Sequence, residues 1–382
     1  MTSIDALPTE ILADIFGHEG LGDIARQVCR RWRQIALPVW LRRLVLLPSD
    51  PFKDVGLLEY LQDLPEDDRL SIRALDIAAR RDFDSGGNVF SSDVADEACL
   101  RNVLLIQSLL GHRIIDLAIT DTGWAPESLA RILQMNQLTT LRVLHFQLSL
   151  FKPESFLLPE LGHELIRLCH SHCHTLKTLS FDLAHPMSRQ LWASVANCTD
   201  LQQFHLSIHR SSEPVLTNIL QLVLPRWTAL ASLHLCQPRF LSPEMLQCLY
   251  KDLPRPDLLR ELYLIFEACQ ASLYEDEFIA MVAAMPKLQV LDAHLDWSNR
   301  MMEQVAARLP DLRELSVTCL GPQFDCRSVR TIVWGESLEK LNMRTSARIW
   351  GGFLDAVRGR SRRVKILVYG SMKWGGSVDE WE

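Results

Sequence analysis

Leu259-Arg260-Glu261-Leu262-Tyr263-Leu264 carries leucine at its first, fourth and sixth positions, with a polar aromatic ring between the last two. The fourth and sixth side chains of such a hexapeptide share one face of an extended strand, because successive side chains alternate. The same spacing recurs outward in both directions. Toward the N terminus it reads LASLHL at 230, LQQFHL at 201, LKTLSF at 176, LRVLHF at 141, IIDLAI at 114, IRALDI at 72 and LRRLVL at 41. Toward the C terminus it reads LQVLDA at 288, LRELSV at 312, LEKLNM at 338 and VKILVY at 364. The mean period is about 29 residues, enough for one short strand, one helix and two turns. Helical apolar spacing fills the intervals between strands, for example at residues 128–135, 160–170, 214–222, 277–285 and 302–309. This alternation predicts an α/β solenoid over residues 41–382, with parallel strands inside an arc and helices outside. Two intervals are stretched, one by the polar run Asp82-Phe83-Asp84-Ser85-Gly86-Gly87-Asn88 and one by Lys152-Pro153-Glu154, both expected as surface loops.

Composition narrows the function classes. The 382 residues are 48% hydrophobic and 23% charged, which excludes disordered and collagen-like chains. Lys+Arg 40 against Asp+Glu 47 leaves a formal charge of −7, so neither nucleic acid nor an anionic membrane is an expected partner. Met1-Thr2-Ser3-Ile4-Asp5 lacks the basic and apolar regions of a signal peptide, and no uncharged apolar run is long enough to span a bilayer. An intracellular location, cytoplasm or nucleus, is expected. The 10 cysteines are irregularly spaced and sit mostly in apolar stretches, which suits small buried hydrophobes rather than a disulfide frame.

Residues 7–40, LPTEILADIFGHEGLGDIARQVCRRWRQIALPVW, form a separate pattern. Pro8 presets a first helical turn, and Ile11, Leu12, Ile15 and Phe16 share a stripe. Gly17, Gly20 and Gly22 end that helix, and Val28, Trp32 and Ile35 mark a second. So small a unit cannot bury its own apolar side chains, which must meet either the next domain or another protein. Leu7-Pro8-x-Glu10-Ile11-Leu12-x-x-Ile15-Phe16 followed by Val28-Cys29-Arg30-Arg31-Trp32 resembles an F-box, the helical module that docks onto the Skp-family adaptor of SCF ubiquitin ligases. The resemblance implies a domain over residues 1–40 that binds the adaptor through Leu7, Pro8, Ile11, Leu12, Ile15, Phe16, Val28, Cys29 and Trp32, and through it a cullin. The remainder resembles the leucine-rich-repeat half of F-box proteins, including fungal ones. The resemblance therefore implies a substrate-recognition subunit of an SCF-type ubiquitin ligase, with an unidentified protein as substrate. The Pro8-to-Val28 interval is shorter than the usual family spacing, so the alternative is a ligase-independent repeat scaffold with a weakened F-box.

If the fourth and sixth positions of each hexapeptide face the core, the position between them faces the open side. That row reads Val45, Asp76, Ala118, His145, Ser180, His205, His234, Tyr263, Asp292, Ser316, Asn342 and Val368. His205, His234, Tyr263 and Asp292 fall in consecutive repeats and so form a contiguous strip; with His145 they are the candidate target-binding residues. Asp182, Gln203, Ser232, Glu261, His294 and Glu314 flank the row. A phosphorylated target would require an Arg cluster, and the strip has none. The basic run Arg358, Arg360, Arg362, Arg363 and Lys365 reads as a solvated face.

Two segments imitate chemistry. Cys169-His170-Ser171-His172-Cys173-His174 offers metal-ligand types, but no second ligand pair stands at zinc-finger distance, and the segment reads as a helix end with buried Cys and exposed His. Asp121-Thr122-Gly123 copies the aspartic-protease triplet, yet it occurs once, where a turn needs Asp and Gly. Phosphate-cradling, nucleophile-elbow and zincin strings are absent from the sequence. No catalytic residue, cofactor or metal is expected, and the function anticipated is non-catalytic.

Overall fold

The structure is a computed structural model that describes residues 43–46, 58–59, 61–64, 72–78, 93–110, 113–120, 126–134, 138, 140–148, 159–209, 213–237, 241–266, 274–320, 332, 335–345 and 365–370. The chain divides into two compact units, Met1–Leu168 and Cys169–Glu382. In the first, β1 (Arg43–Leu46), β2 (Ala74–Ala78), β3 (Asp116–Thr120) and β4 (Val143–Leu148) pair in parallel and in chain order. Helices α1 (Asp93–Leu110) and α2 (Pro126–Leu133) lie between the strands in sequence, and α3 (Pro159–Ser171) follows.

The second unit repeats one motif. Its strands are β5 (Thr178–Leu183), β6 (Gln203–Ile208), β7 (Ser232–Gln237), β8 (Glu261–Phe266), β9 (Val290–Trp297), β10 (Glu314–Leu320), β11 (Lys340–Thr345) and β12 (Lys365–Gly370), again parallel and in chain order. The intervening helices are α4 (Arg189–Ala196), α5 (Glu213–Val223), α6 (Pro243–Lys251), α7 (Glu275–Ala284) and α8 (Asn299–Arg308). Each unit is thus an α/β, all-parallel strand repeat, as the hexapeptide spacing predicts.

A repeated backbone contact holds the register although the intervals vary. The carbonyl just before a strand accepts two consecutive N–H groups from the next repeat. Lys177 accepts from Gln202 and Gln203 at 2.8 and 3.0 Å, Arg260 from Gln289 and Val290 at 2.7 and 2.9 Å, and Arg313 from Glu339 and Lys340 at 2.8 and 2.9 Å. Arg73 and Ile115 do the same in the first unit. Because side chains alternate from that anchor, every strand in register shows the same face.

The inward positions make the core. Leu233, Leu235, Leu262, Leu264, Leu291 and Ala293 are fully buried, and each such leucine contributes about 1.5–3 kcal/mol relative to exposure. Aromatic residues fill the space between strands and helices. Phe181 of β5 meets Trp192 of α4 edge-on at 5.7 Å, and Phe278 of α7 meets Trp297 of β9 at 5.2 Å. In the first unit, side chains of neighbouring helices satisfy the last carbonyls of α2: Gln107 Nε2 donates to Ile132 at 3.1 Å and Arg167 Nη2 to Leu133 at 2.6 Å.

The five expected helices form with small shifts in their ends. Helix α2 starts two residues early because Pro126 suits a first helical turn, and α8 starts at Asn299 because Ser298 caps it. Helices α1, α4 and α6 complete the expected strand–helix alternation in intervals whose helix bounds the apolar spacing leaves open; α1 accounts for much of the stretched 72–114 interval. The runs at 82–88 and 152–154, the Asp121 triplet, and all but Lys365 of the C-terminal basic run lie outside the described residues.

Candidate functional site: the open strand face

Register brings the second-unit row together as expected up to β11. Ser180 stands opposite His205, His205 opposite His234, His234 opposite Tyr263, and Tyr263 opposite Asp292; Ser316 then stands between Asp292 and Asn342. Two corrections apply. Leu367, not Val368, stands opposite Asn342, because β12 pairs one residue out of the assumed phase. Ala118 and Ser180 are buried, at 6% and 9% exposure, because short side chains on the row are shaded by longer neighbours. His145 lies half-buried on β4 of the first unit, opposite Ala118.

The middle of the row is a line of rings. Ser180 Oγ shares a 3.0 Å hydrogen bond with His205 Nδ1, which orients that imidazole. His205 and His234 stack with centroids 4.1 Å apart and planes 10° from parallel, and Tyr263 continues the line 5.0 Å from His234 at 37°. Neighbouring strands are about 4.8 Å apart, so one planar side chain per strand suffices for continuous contact. Asn342 Nδ2 donates to Ser316 Oγ at 3.0 Å and closes the far side.

Electrostatics around the rings is asymmetric. Burial pushes the His234 imidazole below its ordinary pKa, opposed by the Asp292 charge and reinforced by His294. The Tyr263 phenol is pushed up by burial and then by the negative charges of Glu261, Glu314 and Asp292. His234 is therefore neutral near neutral pH, and Tyr263 lies in a negative potential. Among the described residues, the buried atoms His234 Nε2 and Asp292 Oδ1 have no hydrogen-bond partner. Asp292 Oδ1 lies 3.4 Å from His294 Nε2, an ion-pair distance that is not aligned as a hydrogen bond.

Flanking polar groups are mostly engaged. Ser232 Oγ donates to Glu261 at 2.9 Å, Thr178 Oγ1 to Gln203 at 3.2 Å and Lys340 Nζ to Glu314 at 3.2 Å. Asp182 Oδ1 meets His209 Nε2 at 2.7 Å. Sequence order named every one of the row's middle members, but the ring stacking and the Ser180 bond carry no sequence signal.

The Cys/His segment has structural roles. Cys169 is buried, and a hydrogen bond with the Cys198 thiol, followed by burial, holds its own thiol far above the usual range. His170 Nε2 pairs with Ser194 Oγ at 3.2 Å. His172 is buried rather than exposed, its ring meeting Thr175 Oγ1 at 3.4 Å in the turn that ends α3. Among the described residues no group of three His, Cys, Asp or Glu is arranged to hold a metal. Nor is any described helix long and apolar enough to cross a membrane.

The adaptor-binding residues Leu7, Pro8, Ile11, Leu12, Ile15, Phe16, Val28, Cys29 and Trp32 lie outside the described residues. Residues 4–45 match the F-box-like family model, so an F-box-like domain stands at the N terminus, ahead of the parallel-strand repeat. No curated protein matches the chain. Among solved structures the chain is similar to one described as the crystal structure of the Rad7 and Elc1 complex in yeast, with 11% identity, 97% of this chain and 92% of that chain covered, and a TM-score of 0.48.

Proposed function

We propose that this chain, which begins with an F-box-like domain, is the substrate-recognition subunit of an SCF-type ubiquitin ligase. Residues 1–40 dock a Skp-family adaptor and through it a cullin, and residues 41–382 hold a protein target inside the cell. The observation that carries the reading is the F-box-like match at residues 4–45 joined to a strand repeat with a contiguous His205-His234-Tyr263-Asp292 row. The chain itself makes and breaks no bond. It acts by proximity, raising the effective concentration of target lysines near the charged ubiquitin carrier.

The test is co-purification with a Skp-family adaptor, comparing the wild type with a Pro8→Ala/Trp32→Ala double variant of equal fold. Adaptor recovery that the double variant loses supports the reading. Absence of recovery with the wild type sinks it and leaves the repeat as a free-standing scaffold.

A further inference from the structure

Six consecutive strands, β5 to β10, carry five carboxylates, Asp182, Glu261, Asp292, Asp296 and Glu314, and no Lys or Arg. Most of these acids are already occupied. Asp182 meets His209, Glu261 accepts from Ser232, and Glu314 meets Lys340. Asp292 differs: its buried Oδ1 lies 3.4 Å from His294 without an aligned hydrogen bond, and its side chain as a whole stays a quarter exposed on the row. It also stands directly beside Tyr263, at the end of the ring line that starts at His205. A partly exposed carboxylate next to an aromatic ring in a negative potential is complementary to a flat cation.

We propose that the His205-His234-Tyr263-Asp292 row is a docking site for an arginine-bearing basic segment of an unphosphorylated protein target, with a guanidinium stacked over Tyr263 and donating to Asp292. Guanidinium is the side chain that meets both demands at once. It is planar, it stacks on aromatic faces, and its fork of N–H donors matches a carboxylate. A lysine ammonium is compact and strongly hydrated, so it uses the charge and forgoes the stacking. A phosphoserine finds carboxylates and no Lys or Arg on these six strands and is disfavoured. The neutral His234 ring adds flat area without opposing the incoming positive charge.

This proposal rests on the reading of the repeat as the target-binding half, and its test is run without the adaptor. Fluorescence anisotropy of the full chain is measured with a fluorescein-labelled Gly-Ser-Arg-Gly-Arg-Ser-Gly peptide. The comparison probes carry Lys for Arg, Glu for Arg, or phosphoserine for Ser. The arginine probe is expected to bind about tenfold tighter than the lysine probe, and the glutamate and phosphoserine probes not measurably. Tyr263→Ala and Asp292→Asn are each expected to weaken the arginine probe about fivefold or more, and Tyr263→Phe by no more than about twofold because the ring stays. Circular dichroism confirms that the variants are folded. Failure of the arginine probe to bind, equal affinity for arginine and glutamate probes, preference for phosphoserine, or indifference to both Tyr263→Ala and Asp292→Asn overturns the site. Adaptor recovery is scored on the same preparations, so peptide failure with adaptor recovery retained rejects this site alone.

Discussion

His205 and His234 lie face to face on neighbouring strands, their ring centroids 4.1 Å apart and their planes 10° from parallel. Two protonated imidazoles at that separation repel, and burial already holds the His234 ring below its ordinary pKa. Its ring neighbours are His205 from β6 and Tyr263 from β8, and the charges that act on it are those of Asp292 and His294 from β9. Above about pH 6.5 the ring is neutral in both folded and unfolded chains; below that value the unfolded chain takes up the proton first, so stability falls as pH drops through the window beneath it. Urea midpoints are expected to fall from about pH 7.5 to about pH 5.5, and a His234→Gln variant to lose part of that slope. Imidazole NMR placing His234 at or above the ordinary value would sink the argument.

Trp227 and Trp297 are both fully buried, but only Trp297 has an acceptor for its indole N–H, the Ala293 carbonyl at 3.0 Å. Trp227 Nε1 has none among the described residues, although its ring packs 4.6 Å from Phe204. Trp227→Phe removes an unsatisfied donor along with ring volume, so the two effects offset. Trp297→Phe loses volume and strands the carbonyl, costing about 1–3 kcal/mol more than the Trp227 change. Chemical denaturation of the two single variants decides it; equal losses would contradict the account.

Ser188, Ser242 and Ser298 cap α4, α6 and α8, and the Ser242 and Ser298 hydroxyls accept from Met245 and Met301 N–H at 3.1 and 3.2 Å. Ser242→Ala and Ser298→Ala are each expected to cost about 1 kcal/mol. The capped helices are not sequence neighbours, so the double variant is expected to lose about the sum of the two. Thermal or urea unfolding tests both values, and strong non-additivity would mean that the caps share more than their own helices.

Burial and the nearby Asp252 charge push the Cys248 thiol up to about 12. Cys169 and Cys198 are also buried. Iodoacetamide at about pH 8.5 needs an accessible thiolate, so Cys248 and Cys169, held up in pKa, and Cys198, shielded by burial, are expected to stay unlabelled in the folded protein and to react after denaturation. Peptide mass spectrometry reads the outcome, and rapid labelling of native Cys248 would refute the assignment.

The repeat was legible because alternation along a strand is a local property of the chain. Leu259-Arg260-Glu261-Leu262-Tyr263-Leu264 already states which side chains go inward, and the bound carbonyl before each strand propagates that phase. The reading slipped where the consensus spacing and plain alternation disagree. In Val364-Lys365-Ile366-Leu367-Val368-Tyr369 the consensus makes Leu367 and Tyr369 inward, whereas alternation groups Val364, Ile366 and Val368; the observed pairing of Ile366 with Leu341 follows alternation. The bounds of helices α4 and α6 are not legible in the apolar spacing because their starts depend on Ser188 and Ser242 hydroxyls reaching the N–H three residues on, a signal that any loop serine imitates.

By itself the sequence determined the period, the α/β class, the inward and outward phase of nearly every strand, and the F-box-like N terminus. Only the tertiary structure decided that His205 and His234 stack, that Asp292 Oδ1 is buried 3.4 Å from His294 without an aligned hydrogen bond, and that His172 turns inward. The physical reason is range. Phase is set by adjacent residues on one strand, whereas the spacing of two rings and the partner of a carboxylate depend on groups about 29 residues apart, brought together by packing the whole repeat.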